Sequence, residues 1–300
     1  MSNESTKVHP QLQRILASAQ LPALPQSAIR VLELSRDPNN GPPEFAVPIE
    51  ADPGLTLQVL KFVNSSYFGF SREVSSVRLG ITLIGIRTIK NFVLWNAVFS
   101  LMPNPKCGPF DLKLMWQDSL RRGLFARAMG KLLRLKETED LFATALLQDM
   151  AVPLLAKALP TEYAMLLTRR EEGRVRLSTL EQTHFGWNHA EASAHLAAQW
   201  NLPVEFARYL REHTAELPNA IDSAFAVALS SMLPSCCDAR WHEASAFEAG
   251  YRRACPVGGP ELGEFLTQVD REFAEFAPVL KLPDAGNWLA DRYHESAQPA

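Results

Sequence analysis

Apolar positions recur at three- and four-residue intervals almost from end to end of the chain, the period of helices rather than strands. Leu12, Ile15 and Leu16 share one face of a first helix, and residues 26–35 fit a second. Asp52 followed by Pro53 marks a helix start: a carboxylate caps free backbone N–H groups, and a proline with fixed φ opens the first turn. Leu57, Leu60 and Val63, with Phe62 beside them, form the expected buried stripe of that helix. Leu79, Leu83, Ile86 and Ile89 carry the same spacing into another. Further helices are predicted over 112–133, 139–157 and 160–172. Ser178 with Glu181 reads as a capping box, and Asn188 with Glu191 as the same device built on asparagine, opening a helix that runs to Trp200. Pro203 begins one that ends near His213, and residues 261–276 supply another. No segment alternates apolar and polar residues as a strand would, so the predicted fold class is all-α.

The main interruption is MPNPKCGPFD at 102–111, with three prolines and a glycine. It suggests an N-terminal helical subdomain over 1–105, a second helical subdomain over 106–235 and a C-terminal helical extension over 236–300 packed on the core. There is no internal repeat and no low-complexity tract.

Composition narrows the function classes. Hydrophobic residues make up 47% of the 300 and charged residues 21%, ordinary for a globular protein. A net charge of -3 gives no general attraction to nucleic acid or membranes. The most apolar stretch, 81–102, is interrupted by Arg87, Lys90 and Asn91, which suits a buried helix better than a membrane span. The first fifteen residues show no leader pattern. Cys107, Cys236, Cys237 and Cys255 have none of the zinc spacings and read as thiols in a reducing cytosol, so a cytoplasmic location is expected.

Five residues stand out as candidate chemistry: Asp118, Asp149, His184, His189 and His213, all on or beside predicted helices. Helical bundles build metal sites from such side chains on separate helices. Competing readings are plain. His213 falls where a helix C-terminus favours a cation, His189 could anchor a packed joint, and no HExxH-type pair occurs. Asp149, inside ALLQDMAVPLL, needs a partner if buried. The pairs Arg121-Arg122 and Arg169-Arg170 could grip phosphate, but short pairs of this kind usually face solvent. Asn64-Ser65-Ser66-Tyr67 reads as a helix stop, and alanines 190, 194, 197 and 198 as a packing stripe.

Several segments together resemble the HDOD domain, a degenerate relative of the HD and HD-GYP metal-dependent phosphohydrolases. LPALP at 21–25, EADPGLTLQVLKFVNSSYFG at 50–69 and LGITLIGIRTIK at 79–90 look like its N-terminal half. Trp116 with Ser119, LLQDMAVPLL, the segment FGWNHAEASAHLAAQWNLP and a closing EHT are similar to its HD-like half, so the likeness runs over 21–214. It implies a helical N-terminal subdomain packed on an HD-like bundle. Active HD enzymes hold a divalent metal with a His–Asp pair and further His and Asp ligands. Here the pair reads Gln148–Asp149, Asp118 stands near where an upstream histidine is expected, His213–Thr214 replaces a double histidine, and the helix 225–233 offers serines instead of a last aspartate. Asp118, Gln148, Asp149, His189 and His213 are therefore read as a vestigial metal pocket, with no catalytic residue and no cofactor expected. An ion such as iron, manganese or magnesium, if held, would fall to Asp118, Asp149, His189 and His213.

The resemblance implies a bacterial signal-transduction module, of response-regulator type, that binds a signalling protein or a small effector. Receiver and cyclic-di-GMP-related proteins are the candidate partners, acting in trans because the chain carries no receiver of its own. A homodimer through the apolar face of the helix from Ile81 is a further expectation, as is origin as a fragment of a larger chain. The alternative is a metal-dependent phosphohydrolase acting on a nucleotide or cyclic dinucleotide with a reduced site. Direct nucleic-acid binding is not expected, since the helix from Pro53 offers only Lys61 to phosphates.

Overall fold

Caps set where the helices begin. Asp52 accepts from the Leu55 N–H at 3.0 Å and Asn188 from Ala190 and Glu191, as their sequence positions predict. Asp111 and Asp222 do the same for two helices of the second half. The computed structural model describes residues 9–18, 23–282, 286 and 288–296. Leu21 and Pro22 of the LPALP segment lie outside them. The helices are α1 (Pro10–Ser18), α2 (Gln26–Leu34), α3 (Pro42–Glu50), α4 (Pro53–Val63), α5 (Val77–Ile84), α6 (Ile86–Leu101), α7 (Leu112–Leu132), α8 (Thr138–Leu146) and α9 (Val152–Ala158). They continue as α10 (Pro160–Arg169), α11 (Leu177–Phe185), α12 (His189–Gln199), α13 (Val204–Glu212), α14 (Ser223–Ser230), α15 (Ala244–Ala254), α16 (Leu262–Phe276) and α17 (Leu289–Ser296). Among the described residues there is no strand, and no helix long and apolar enough to cross a membrane. All four cysteines are free thiols.

Helices α2 to α6 pack on one another, and α6 lies against α8. The 21-residue α7 is the axis of the second half, with α8, α14 and α16 against it. Because neighbours cover it on several sides, α7 buries Gln117, Asp118, Arg121 and Arg127 as well as Leu120 and Leu124. Gly123 makes the α7–α8 approach possible: a Cβ there would meet the Phe142 carbonyl oxygen and the Leu146 Cβ, each at 3.0 Å. Gly123→Val is therefore expected to destabilise the fold by about 1–3 kcal/mol, the usual cost of overpacking, as a lowered urea midpoint.

The C-terminal helices close the same core. Arg127 of α7 pairs with Glu272 of α16 at 2.8 Å and lies over the rings of Tyr67, Phe142 and Phe276 at 4.9–5.7 Å. Phe276 also meets Phe62, which stacks on Phe92 at 4.1 Å, so one aromatic cluster ties α4 and α6 to α8 and α16.

Four expectations need correction. Leu57, Leu79 and Leu83 are 54%, 47% and 48% exposed, and the buried face of α4 is Leu55, Val59, Phe62 and Val63. Two short helices wedged between neighbours each bury a narrower arc than a full amphipathic stripe. The helix expected over 139–157 is broken at 147–151, where Val152 N–H bonds to the Asp149 carbonyl and Pro153 sits in the first turn of α9. Ser178 and Glu181 form no capping box: Arg176 stands at the N-cap, and both residues are buried inside α11. Arg121 and Arg122 do not face solvent; Arg121 is 1% exposed and the Arg122 side chain is nearly covered. Asn64 does act as a helix stop, its amide donating to the Leu60 and Val74 carbonyls at 2.9 and 2.8 Å.

Candidate functional site

The break between α8 and α9 turns Asp149 towards α7, α12 and α13. One carboxylate oxygen accepts a short hydrogen bond from Arg122 Nη1. The other lies 3.2 Å from His189 Nε2 and 3.5 Å from His213 Nε2. Asp149, His189 and His213 thus present ligand atoms within 4.8 Å of one another, the spacing of a metal-binding group.

His189 opens α12, where the Asn188 cap fixes the backbone. Its Nδ1 is 2.6 Å from Glu181 Oε2, which also accepts the His189 backbone N–H at 2.9 Å. Tyr163 donates to the other Glu181 oxygen at 2.6 Å. Burial by itself would keep this imidazole neutral, but the Glu181 and Asp149 carboxylates outweigh it and push its pKa up to about 10. His189 is therefore an imidazolium that donates from both nitrogens. Burial likewise works against the Asp149 anion, yet Arg122 first, then His189, hold its carboxyl well below the usual range. The result is a row of alternating charge, Glu181–His189–Asp149–Arg122, that sums to zero.

His213 differs. Its Nδ1 lies 2.6 Å from the Leu210 carbonyl at the C-cap of α13, which keeps the proton on that nitrogen. Burial holds its pKa below the ordinary value. Nε2 is left with a lone pair and no hydrogen-bond partner among the described residues.

The remaining sequence candidates fall as follows. Asp118 is buried on α7 and lines the same cavity, but it accepts from Ser235 Oγ at 2.5 Å and the Cys236 N–H at 2.8 Å, outside the Asp149 group. Gln148 is fully buried, with both amide atoms unpartnered among the described residues. His184 is exposed on α11, edge-on to Phe185, and plays no part. Ser230 and Ser231, on the helix read as offering serines, bond to backbone carbonyls; Ser231 Oγ reaches the His213 carbonyl at 2.7 Å. A cavity of about 420 Å³ opens beside these groups, lined also by Arg170, Arg176 and Trp241.

A divalent ion fits this donor set poorly. His189 would have to give up the proton shared with Asp149, and the Arg122 guanidinium already occupies the second Asp149 oxygen. Sequence reasoning missed Arg122, Glu181 and Tyr163. The only available signal was an acidic residue at 181, eight before His189, inside a helix where a cap was expected.

The HDOD domain model matches residues 21–216. The chain belongs to the HDOD domain family. It is 23% identical over 201 residues to an uncharacterized protein of Treponema pallidum (strain Nichols), covering 67% of this chain and 38% of that protein. Among solved structures it resembles an HDOD domain protein of unknown function from Geobacter sulfurreducens, with TM-score 0.71, 19% identity, 90% of this chain and 97% of that one. It also resembles a Marinobacter aquaeolei VT8 protein provisionally named for signal transduction (TM-score 0.69, 19% identity, 97% and 67% covered). A third likeness is to a provisionally named phosphohydrolase of Shewanella amazonensis SB2B (TM-score 0.62, 18% identity, 94% and 98% covered). At these identities the structural likenesses establish the HDOD fold alone.

Proposed function

We propose that this HDOD protein is a non-catalytic regulatory module of signal transduction, in which a former metal centre has become a self-neutralised ionic row that supports binding. The observation that carries the reading is the double engagement of His189, between Glu181 at 2.6 Å and Asp149 at 3.2 Å, with Arg122 on the far side of Asp149. A metal-activated water needs an ion held by deprotonated ligands with an open position. Here the cationic role beside Asp149 is filled by protein groups. The structural neighbour from Marinobacter aquaeolei that is named for signal transduction supports the module reading, and a receiver or cyclic-di-GMP-related protein is the class of partner we assign to it.

One observation favours the hydrolase alternative: three ligand atoms of suitable type do converge within 4.8 Å. Assays with p-nitrophenyl phosphate and bis(p-nitrophenyl) phosphate, after incubation with Mn²⁺ or Fe²⁺, separate the two. The module reading expects the same background rate in the native protein and in Asp149→Ala. Asp149-dependent turnover would establish the hydrolase.

A further inference from the structure

One wall of the cavity comes from beyond residues 21–216, the span matched to the HDOD domain. It is built on the turn 235–238, closed by the Asp238 N–H on the Ser235 carbonyl at 3.0 Å. Separate elements of the fold meet on this turn. Asp118 of α7 accepts from Ser235 Oγ at 2.5 Å and from the Cys236 N–H at 2.8 Å. Arg170, at the end of α10, donates to the Asp238 carboxylate at 3.0 Å. Arg292 of α17, outside the cavity lining, donates to the Ser235 and Asp238 carbonyls at 2.7 and 2.6 Å.

Packing alone does not account for Arg292. Its side chain is buried, and the nearby Asp238 carboxylate is engaged by Arg170 and the Ser235 N–H instead. Burial holds its pKa below the ordinary arginine value, since two carbonyl oxygens replace only part of the lost hydration. An apolar side chain would seat the helix without that cost. The guanidinium instead grips the backbone of one turn.

The other end of α17 is fixed as narrowly. The two oxygens of Asp270, on α16, accept the Leu289 and Ala290 N–H groups, each at 3.0 Å. A helix of eight residues is not stable in isolation, so α17 keeps its shape only while docked. Arg292 ties that docking to the position of the turn.

We propose that α17 is a latch on the pocket. Docked, it holds the turn where Ser235, Cys236 and Asp238 satisfy Asp118 and Arg170. Undocked, it releases the turn and leaves Asp118 and Arg170 open to a partner. The inference rests on the module reading and deepens it by naming what regulates the site.

Thiol labelling of the full chain tests it. Cys236 reports on the turn: its Sγ is half-buried and accepts from Arg121 at 2.9 Å. Cys107, buried against the Pro160 carbonyl, reports on the rest of the fold. A Cys237→Ser background leaves Cys236 as the one thiol of the turn. In that background, N-ethylmaleimide rates resolved by mass spectrometry are compared with and without Arg292→Met or Asp270→Ala. Each substitution should speed Cys236 labelling roughly tenfold or more, the shift that one hydrogen bond to a charged group supports, and leave Cys107 unchanged. Loss of the Arg292 charge by itself makes the nearby thiolate harder to form, so a faster reaction reports opening. An unchanged Cys236 rate in either variant, or an equal rise at Cys107, would overturn the latch.

If the variants misfold, hydrogen exchange on the native protein decides. The Cys236 amide and the α17 amides should share one opening free energy, below that of α7. Protection that differs by more than roughly tenfold between them would show that the turn stands without the latch. Neither measurement involves a metal or a phosphoester, so the latch and the non-catalytic reading fail separately.

Discussion

Asp149→Ala should lower the stability of the protein by about 3–5 kcal/mol, the cost of leaving buried charge without its partner. Asp149 is the counter-ion of Arg122 and the second partner of His189, so its removal strands the nearly covered Arg122 cation and leaves His189 with Glu181 alone. Asp149→Asn should recover little, because the amide keeps the shape and loses the charge. A double variant, Asp149→Leu with Arg122→Met, should cost less than the sum of the two single changes, since each removes the other's uncompensated partner. Urea denaturation followed by tryptophan fluorescence reads the native protein, these variants and the two single changes Asp149→Leu and Arg122→Met. A loss under about 1 kcal/mol for Asp149→Ala would mean that the pair behaves as an exposed one and that the ionic row does not hold this region together.

The second large effect is on the pH dependence of stability. His189 is raised in the folded protein from an ordinary value of 6.5 to about 10 by Glu181 and Asp149, against the opposing effect of burial. Its contribution is therefore complete below pH 6.5 and is lost as pH rises through about 10. Unfolding free energy should fall across that window by roughly 2–5 kcal/mol. His189→Gln, which cannot take up the proton, should start less stable and lose little more over the same range. The depressed Asp149 acts in the opposite direction: its contribution is present above pH 3.8 and disappears as the solution becomes more acidic than that. A native protein equally stable at pH 6.5 and pH 10 would show that His189 is neutral where it sits.

Much of the fold was legible because caps and breakers act locally. Asp52 and Asn188 cap the helices their positions imply, and the family signatures point to the same HDOD match over 21–216. What periodicity could not supply was which side of a helix finds a neighbour. Leu79 and Leu83 fit an apolar stripe yet face outward, while Arg121 and Arg122 look like a solvated pair yet lie on a helix enclosed by α8, α14 and α16. The break at 147–151 lies in an apolar run whose only break signal is Pro153. That break aims Asp149 at its partners.

The site was legible as a list and not as an arrangement. Asp149, His189 and His213 come together, but Asp118 is taken by Ser235 and Cys236, and His184 faces outward. Glu181 was missed because a serine three residues before it suggested a local cap. Its actual role depends on the turn at 186–188 bringing α12 back against α11, where Gly186 adopts φ +77. No short-range pattern reports that return.

The most direct test of the proposed charge-balanced centre is metal content by mass spectrometry on protein purified without a histidine tag, measured beside Asp149→Ala. The ionic row predicts sub-stoichiometric metal that does not change with the substitution. One or two ions per chain, lost in Asp149→Ala, would contradict it and restore the centre to the metal-dependent hydrolases.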